Sequence, residues 1–301
     1  MDVNFELYKI FYNTARSGSF SAAARALYIS QSAVSQSIKS LEAKTGCTLF
    51  IRGPKNIKLT DAGEMLFKHV EQAYSLLKSA ENKMLEMQSL TFGEIRIGVG
   101  DTILRYLLIP FLQQFIKSYP KIKIQVINRT SPGIIDSLRK GNVDFGIVTL
   151  PVNENDIETL GFREVEDVFV ASARFNEFKD KCMKIDELSS LPLLLLQKES
   201  STRRNLDEYF RAGGIDIIPE IELESMDLLV EFARIGLGIA HVLKESSNTL
   251  VKSGELFELK LVKPIPRRML GVATLRNVPL SAAAREFVGK LGNIPPATHI
   301  H

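Results

Sequence analysis

Residues Ser19–Gly46 read SFSAAARALYISQSAVSQSIKSLEAKTG, and the reading of the whole chain starts from how this stretch is parsed. It divides into two short helices with a tight link. Ser21 is placed to cap the first, because a hydroxyl at a helix start accepts a bond from an otherwise orphan backbone N–H. Ala22, Ala23, Ala26 and Leu27 give that helix a small apolar face that a second helix can approach closely, and Tyr28 and Ile29 close it. Ser30 suits the cap of the second helix, on which Val34, Ile38 and Leu41 recur at helical spacing. The other face carries Gln31, Ser32, Ser35, Gln36, Lys39 and Ser40. Amides and hydroxyls suit base edges and a lysine suits phosphate. Gln31–Lys44 therefore reads as the recognition helix of a helix-turn-helix. An alanine-rich helical hairpin inside some other core would show the same spacing.

The flanking sequence separates the two readings. CTLFIRGPKNIKLTDAG, residues 47–63, supplies an apolar anchor in Leu49 and Phe50, then Arg52, Lys55 and Lys58 around a Gly53–Pro54 turn. That pattern is a basic hairpin wing. Phe5, Leu7, Tyr8, Phe11, Tyr12 and Ala15 lie at helical intervals and predict a first helix, ending near Gly18, that packs behind the pair. The charge is concentrated here. Residues 1–60 hold eight Lys or Arg against three acids, a surplus of five, while the whole chain carries +3, so the remainder is slightly acidic. A basic head on an acidic body fits phosphate binding by the head alone. The candidate DNA contacts are Ser30, Gln31, Ser32, Ser35, Gln36 and Lys39 on the helix, with Arg52, Lys55 and Lys58 on the wing.

Thr60–Asp61 begins a long helix. Leu66, Val70, Ala73, Leu77, Ala80, Met84 and Met87 alternate in steps of four and three, the seam of a two-helix coil. A seam without a core of its own predicts a homodimer, which would present two recognition helices to a partly palindromic site. Ser89–Gly93 then serves as a hinge.

These motifs resemble one family. SFSAAARALYISQSAVSQSIKSLEAKTGCTLF, followed by an arginine, a short basic turn, LTDAG and a long helix, is similar to the amino-terminal domain of LysR-type transcriptional regulators. The likeness runs through about the first ninety residues and continues more loosely beyond. It implies a ligand-responsive DNA-binding regulator, with double-stranded promoter DNA, a small-molecule effector, a second copy of the chain, a tetramer built from dimers, and RNA polymerase as partners. No cofactor is expected.

Composition bounds the alternatives. At 45% hydrophobic and 24% charged, 301 residues make an ordinary globular chain of about two domains beyond a small module. No apolar run reaches the roughly 18 residues a membrane span needs. MDVNFELYKIF lacks a basic segment followed by an apolar core, so no signal peptide is expected and the expected location is the cytoplasm. Cys47 and Cys182 form no metal motif and read as reduced thiols. There is no nucleophile elbow, P-loop or dinucleotide fingerprint; GVGDTI lacks the G-x-G-x-x-G spacing. A solute-binding protein or small-molecule enzyme with an accessory DNA-binding module is the alternative, and it would need an export signal or a catalytic cluster.

From residue 94 strands and helices alternate, predicting parallel sheets with helices on both faces. The expected fold is an α+β winged helix-turn-helix head (1–60), a linker and dimerisation helix with hinge (61–92), and an α/β effector domain (93–301). The family resemblance implies two periplasmic-binding-protein-like lobes, 94–161 plus 266–295 and 162–265, with crossings near Gly161 and Lys263–Arg268. Ligands of such sheets sit beyond the carboxyl ends of strands, at helix starts. That places Gly100, Asp101, Thr102, Ser131 and Thr149 on one lobe and Ser200, Ser201, Thr202 and Ser225 on the other. Hydroxyls and free N–H groups at helix starts favour a small anion. Asp101 opposes one unless it pairs with a base such as Arg105, and Arg203 and Arg204 read as a solvated helix face. Gly236 and Gly238 are assigned to backbone geometry, and His241 and His69 to packing or exposure rather than chemistry.

Overall fold

The structure, a computed structural model, describes residues 3–52, 57–86 and 93–292. The chain divides into two compact units, residues 1–85 and 86–301. Lys55 and Met87 lie outside the described residues, as do 89–92 of the expected hinge and the side chains of Arg52 and Met84.

The first unit is built from α1 (Phe5–Ser17), α2 (Phe20–Leu27), α3 (Gln31–Thr45), β1 (Phe50–Arg52), β2 (Ile57–Leu59) and α4 (Asp61–Glu86). Each of the first three helices has a polar side chain on its opening N–H groups: Asn4, Ser19 and Ser30 accept from Glu6, Ala22 and Ala33. The cap of α2 is thus Ser19, two residues before the expected Ser21. Phe20 is needed inside the helix to pack at 5.9 Å on Phe50. Ser21 instead donates to Gln31 Oε1 at 2.9 Å, tying the two helices together. The buried face of α2 is Ala23 and Ala24, while Ala26 is exposed. Val34, Ile38 and Leu41 of α3 are fully buried, beside Phe11, Tyr12, Leu49 and Phe50. At roughly 1.5–3 kcal/mol per large buried side chain, this small core holds the unit.

The wing is fixed from below. Glu42 Oε1 accepts from Leu49 N at 2.7 Å and Phe50 N at 3.4 Å. The LTDAG stretch at 59–63 has a local cause. Thr60 Oγ1 donates to Thr48 O at 2.7 Å and accepts from Gly63 N at 3.0 Å, capping α4. A Cβ on Gly63 would lie 2.2 Å from Leu49 O, so only glycine lets α4 start this close to the wing. Tyr12 stacks on Phe67 and Tyr74 at 5.8 and 4.7 Å, binding α1 to α4. The expected seam is therefore divided. Leu66 and Val70 join the head core, whereas Ala73, Leu77 and Ala80 are exposed.

The second unit opens with β3 (Gly93–Val99), α5 (Asp101–Ile103), a π-helical turn at Leu104–Leu108, α6 (Ile109–Ser118), β4 (Ile122–Asn128), α7 (Ser131–Arg139), β5 (Phe145–Thr149) and β6 (Ile157–Val165). It continues through β7 (Asp167–Ala171), a 3-10 turn at Ala173–Phe178, β8 (Cys182–Met183), α8 (Ile185–Ser189), β9 (Leu193–Leu196), α9 (Ser201–Ala212), β10 (Ile221–Leu223), α10 (Met226–Arg234), β11 (Ile239–Leu243) and α11 (Lys244–Ser253). It ends with β12 (Phe257–Glu258), β13 (Lys260–Leu261), β14 (Arg268–Leu275) and α12 (Ala282–Leu291).

Two five-stranded sheets result, ordered β4-β3-β5-β14-β6 and β10-β9-β11-β7-β12. The strands β3, β4, β5 and β9, β10, β11 run parallel as expected, but both sheets are mixed. β14 pairs antiparallel with β5 and β6 antiparallel with β14; in the second sheet β7 pairs antiparallel with β11 and β12 antiparallel with β7. Residues 163–173 run without glycine or proline, yet they are split at Glu166. The strand up to Val165 pairs with β14, and Asp167–Val170 pair with β11. The first crossing therefore lies at Glu166 rather than Gly161, and Gly161 pairs inside the first sheet with Gly271. The inner parallel strands β5, β9 and β11 are buried on both faces, as LLLL at 193–196 shows, whereas the edge strands β4 and β10 are partly open.

Candidate functional site

In the first unit, α3 presents Ser30, Gln31, Ser32, Gln36 and Lys39 exposed, with Ser35 half-buried beside them. Lys58 on β2 is exposed too. Gln31 is steadied by Ser21, and the Ser30 and Ser32 hydroxyls lie 2.8 Å apart. The face is polar and short-chained, with its cations displaced toward Lys39 and the wing. Tyr28 takes a left-handed conformation (φ 55°) in the turn between α2 and α3 and is 96% exposed. The sequence reading gave it only the task of ending a helix.

In the second unit a cleft of about 670 Å³ lies between the sheets. All nine expected effector residues line it: Gly100, Asp101, Thr102, Ser131, Thr149, Ser200, Ser201, Thr202 and Ser225. Two helix starts that face it differ from those of the head. α7 and α9 have no side-chain bond to their first N–H groups, although Thr130 and Ser200 stand at the cap positions. Ser225 does cap α10, accepting from Leu228 N at 3.4 Å. Free N–H groups and the helix dipole make the starts of α7 and α9 electropositive.

Further residues line it beside these nine, among them Gln197, Glu199 and Arg268, to which the sequence reading gave no ligand role. Arg268 is 4% exposed and gives Nε and Nη2 to Asp167 at 2.5 and 2.6 Å. Its Nη1 donates to Thr149 Oγ1 at 3.4 Å, and Thr149 Oγ1 donates to Ser201 Oγ at 3.2 Å across the cleft. Nothing in RRMLGV distinguishes this arginine from Arg267, which is exposed; only the sheet order does.

The charged residues left open by the sequence are placed. Asp101 accepts from Asn128 Nδ2 at 3.1 Å, and Arg105 pairs with Asp227 of α10 at 2.9 Å rather than with Asp101. Tyr106 donates to the same Asp227 carboxylate. Burial, then that carboxylate, pushes the phenol pKa up. Arg203, expected on a solvated face, is 1% exposed and donates to Asp207, Leu196 O and Glu222 at 2.7, 2.9 and 2.5 Å. It is committed to structure. Arg204 is exposed and bonds Glu199 O at 3.0 Å. His241 is buried against Phe169, ring centroids 5.1 Å apart, and its pKa is lowered to about 4, chiefly by burial. Gly236 has φ +82°, and a Cβ on Gly238 would lie 2.4 Å from Pro192 O, so both serve backbone geometry. His69 is exposed on α4, and Cys47 and Cys182 are free and exposed. Among the described residues no cluster of His, Cys, Asp or Glu could hold a metal, and no helix is long and apolar enough to cross a membrane.

A helix-turn-helix head with a wing, joined to two mixed sheets around a polar cleft, defines a ligand-responsive DNA-binding protein. Residues 5–64 match the bacterial regulatory helix-turn-helix protein model of the lysR family, and residues 88–293 match the LysR substrate binding domain. The chain belongs to the LysR family of transcriptional regulators, and members of this family are not enzymes. A probable RuBisCO transcriptional regulator of Cyanidium caldarium is 29% identical over 290 residues, covering 92% of this chain and 91% of the relative. An uncharacterized HTH-type transcriptional regulator of Shigella flexneri, YfeR, is 28% identical, covering 94% and 92%. Among solved structures, ArgP of Mycobacterium tuberculosis shares the fold at TM-score 0.72 and 20% identity, covering 97% of this chain and 98% of that one. Full-length CbnR complexed with its target DNA does so at TM-score 0.65 and 18% identity, covering 96% and 100%.

Proposed function

We propose that the chain is a cytoplasmic regulator that binds promoter DNA as a dimer and responds to a small anionic effector in the cleft. The observation that carries the effector reading is the pair of uncapped helix starts, α7 and α9, facing one cleft floored by Arg268. An anion there would take N–H groups of the kind that α1, α2, α3, α10 and α12 give to their own caps. Gln31, Ser32, Ser35 and Gln36 would meet base edges in the major groove. Lys39, Lys58, Arg52 and Lys55 would hold phosphate, with Ser30 at the helix start. Ala73, Leu77 and Ala80 leave an open stripe on α4 for a second copy, and a tetramer and RNA polymerase contact follow from the family's pattern of assembly.

The experiment is a binding series on one operator fragment and on random DNA of the same length. Gln31→Ala should lose discrimination while keeping affinity for random DNA; an equal loss on both refutes base reading. Lys58→Ala should reduce the dependence of log affinity on log salt by about one. An unchanged slope removes Lys58 from the phosphate set. Ser201→Ala should weaken the effector response and leave effector-free DNA binding intact.

A further inference from the structure

The cleft is electrically divided along its depth. At its base lies Arg268, 4% exposed, beside the open start of α9 and the Thr149–Ser201 contact. At its mouth lie the carboxylates of Asp101, Glu199 and Glu224, all exposed. Arg129 is the one cation on that rim, and none of these four side chains is in an ion pair among the described residues. Among the lining residues the rim therefore carries three acids against one base, with Arg204 beside it on the Glu199 carbonyl. A simple anion would find donors at the base, in the first N–H groups of α9 and the Nη1 of an Arg268 already paired with Asp167, and would be repelled at the rim. A simple cation would meet the reverse.

We propose that the effector is a free amino acid, carrying a carboxylate at one end and an ammonium at the other. This rests on the anion reading of the cleft and goes one step beyond it. The carboxylate lies on the guanidinium of Arg268 and the first N–H groups of α9. Asp167 already holds Nε and Nη2 in place, so Nη1 can exchange its long, 3.4 Å bond to Thr149 for a shorter charge-assisted one. The ammonium then lies among the rim acids, two from one lobe (Glu199, Glu224) and one from the other (Asp101). A bipolar ligand satisfies both ends where a singly charged one satisfies half. It also bridges the lobes, because α9 and its rim acids belong to the second sheet while Asp101 and Arg268 belong to the first.

The test is a thermal-shift screen of the full chain against three sets at about 10 mM each. One set is the proteinogenic amino acids with ornithine and 4-aminobutyrate. The second is acetate to hexanoate, glutarate and inorganic phosphate. The third is methylamine to 1,5-diaminopentane. An amino acid should raise Tm by about 3 °C or more, with its deaminated and decarboxylated counterparts each giving less than a third of that. Equal stabilisation by phosphate or a plain carboxylate overturns the amino-acid assignment and leaves the anion reading standing. Stabilisation by amines alone, or by nothing in any set, overturns both. The triple variant D101N/E199Q/E224Q changes only exposed, isosteric groups. It should bind the amino acid at least tenfold more weakly and the matching carboxylate no worse; unchanged amino-acid affinity overturns the role of the rim.

Discussion

Replacing His241 by leucine should make the effector unit less sensitive to acid. His241 lies in the middle of the second sheet with 1% of its surface exposed, and its Nε2 has no hydrogen-bond partner among the described residues. Burial lowers its pKa most. Arg268 and Arg203 lower it further, while Asp167 and Asp207 act to raise it, and the ring titrates at about 4 rather than at its ordinary 6.5. Between those values the unfolded chain takes up a proton that the folded chain refuses. The resulting stabilisation is complete above pH 6.5 and is lost as pH falls toward 4. At about 1.4 kcal/mol per pH unit it amounts to about 3 kcal/mol, of which about 2 kcal/mol is gone by pH 5. Carboxylates also titrate in acid, but they are common to both proteins and cancel in the comparison. Urea unfolding followed by far-UV circular dichroism, at about pH 7.5 and about pH 5, measures the difference. The parent should lose about 2 kcal/mol more than His241→Leu across that step. Equal losses would show that the imidazole takes up its proton in the folded state, and that the site is wetter than its burial implies.

Three further substitutions test the packing. Gly63→Ala drives a methyl to within 2.2 Å of Leu49 O, so α4 must move off the wing; the first unit should lose about 1–3 kcal/mol in denaturant unfolding. Ser30→Ala removes the hydroxyl that accepts from Ala33 N at 3.1 Å, costing about 1 kcal/mol of the same transition without altering the effector unit. Asp167→Asn leaves the Arg268 charge buried without a counter-ion. With side-chain exposures of 3% and 1% for the pair, it should cost the effector unit about 3–5 kcal/mol, read as a fall in urea midpoint at unchanged slope.

The head was legible because its signals are local. The spacing of Val34, Ile38 and Leu41 fixed the buried face of α3, and Ser30 fixed its start. The cap of α2 is Ser19 and not the expected Ser21, since the helix start depends on Phe20 reaching Phe50. The cleft residues were found by one rule, that parallel strands deliver their carboxyl ends to helix starts. What the rule omits is what failed. The strands β6, β7, β12 and β14 join by antiparallel pairing, and a stretch such as REVEDVFVASA, with no glycine or proline inside it, does not show where it changes sheets. The helix α11 follows β11 with no intervening loop, at AHVLKES, where neither glycine nor proline punctuates the change. Arg203 illustrates the same limit. RRNLDEYFR has the look of a solvated face, yet Arg203 meets an acid one turn along and another on the neighbouring strand.

The position of the Asp167–Arg268 pair bears on how the cleft can respond to a ligand. Each residue opens the strand that follows a crossing between the sheets: Asp167 begins β7 after Glu166, and Arg268 begins β14 after the return. The pair thus joins the two sheets at the place where the chain itself joins them. Parting two buried charges costs several kcal/mol, so relative movement of the lobes is cheapest as a rotation about this pair. The contacts further from it are of another kind. Arg105–Asp227 is half in solvent, and Thr149–Ser201 is a bond between two neutral hydroxyls. Those can be exchanged for bonds to a ligand at a net cost near 1 kcal/mol or less each. A ligand on Arg268 touches the pivot and the exchangeable contacts together, because Arg268 and Thr149 are already hydrogen-bonded. In the proposed complex Arg268 would thereby connect occupancy of the cleft to the angle between the sheets.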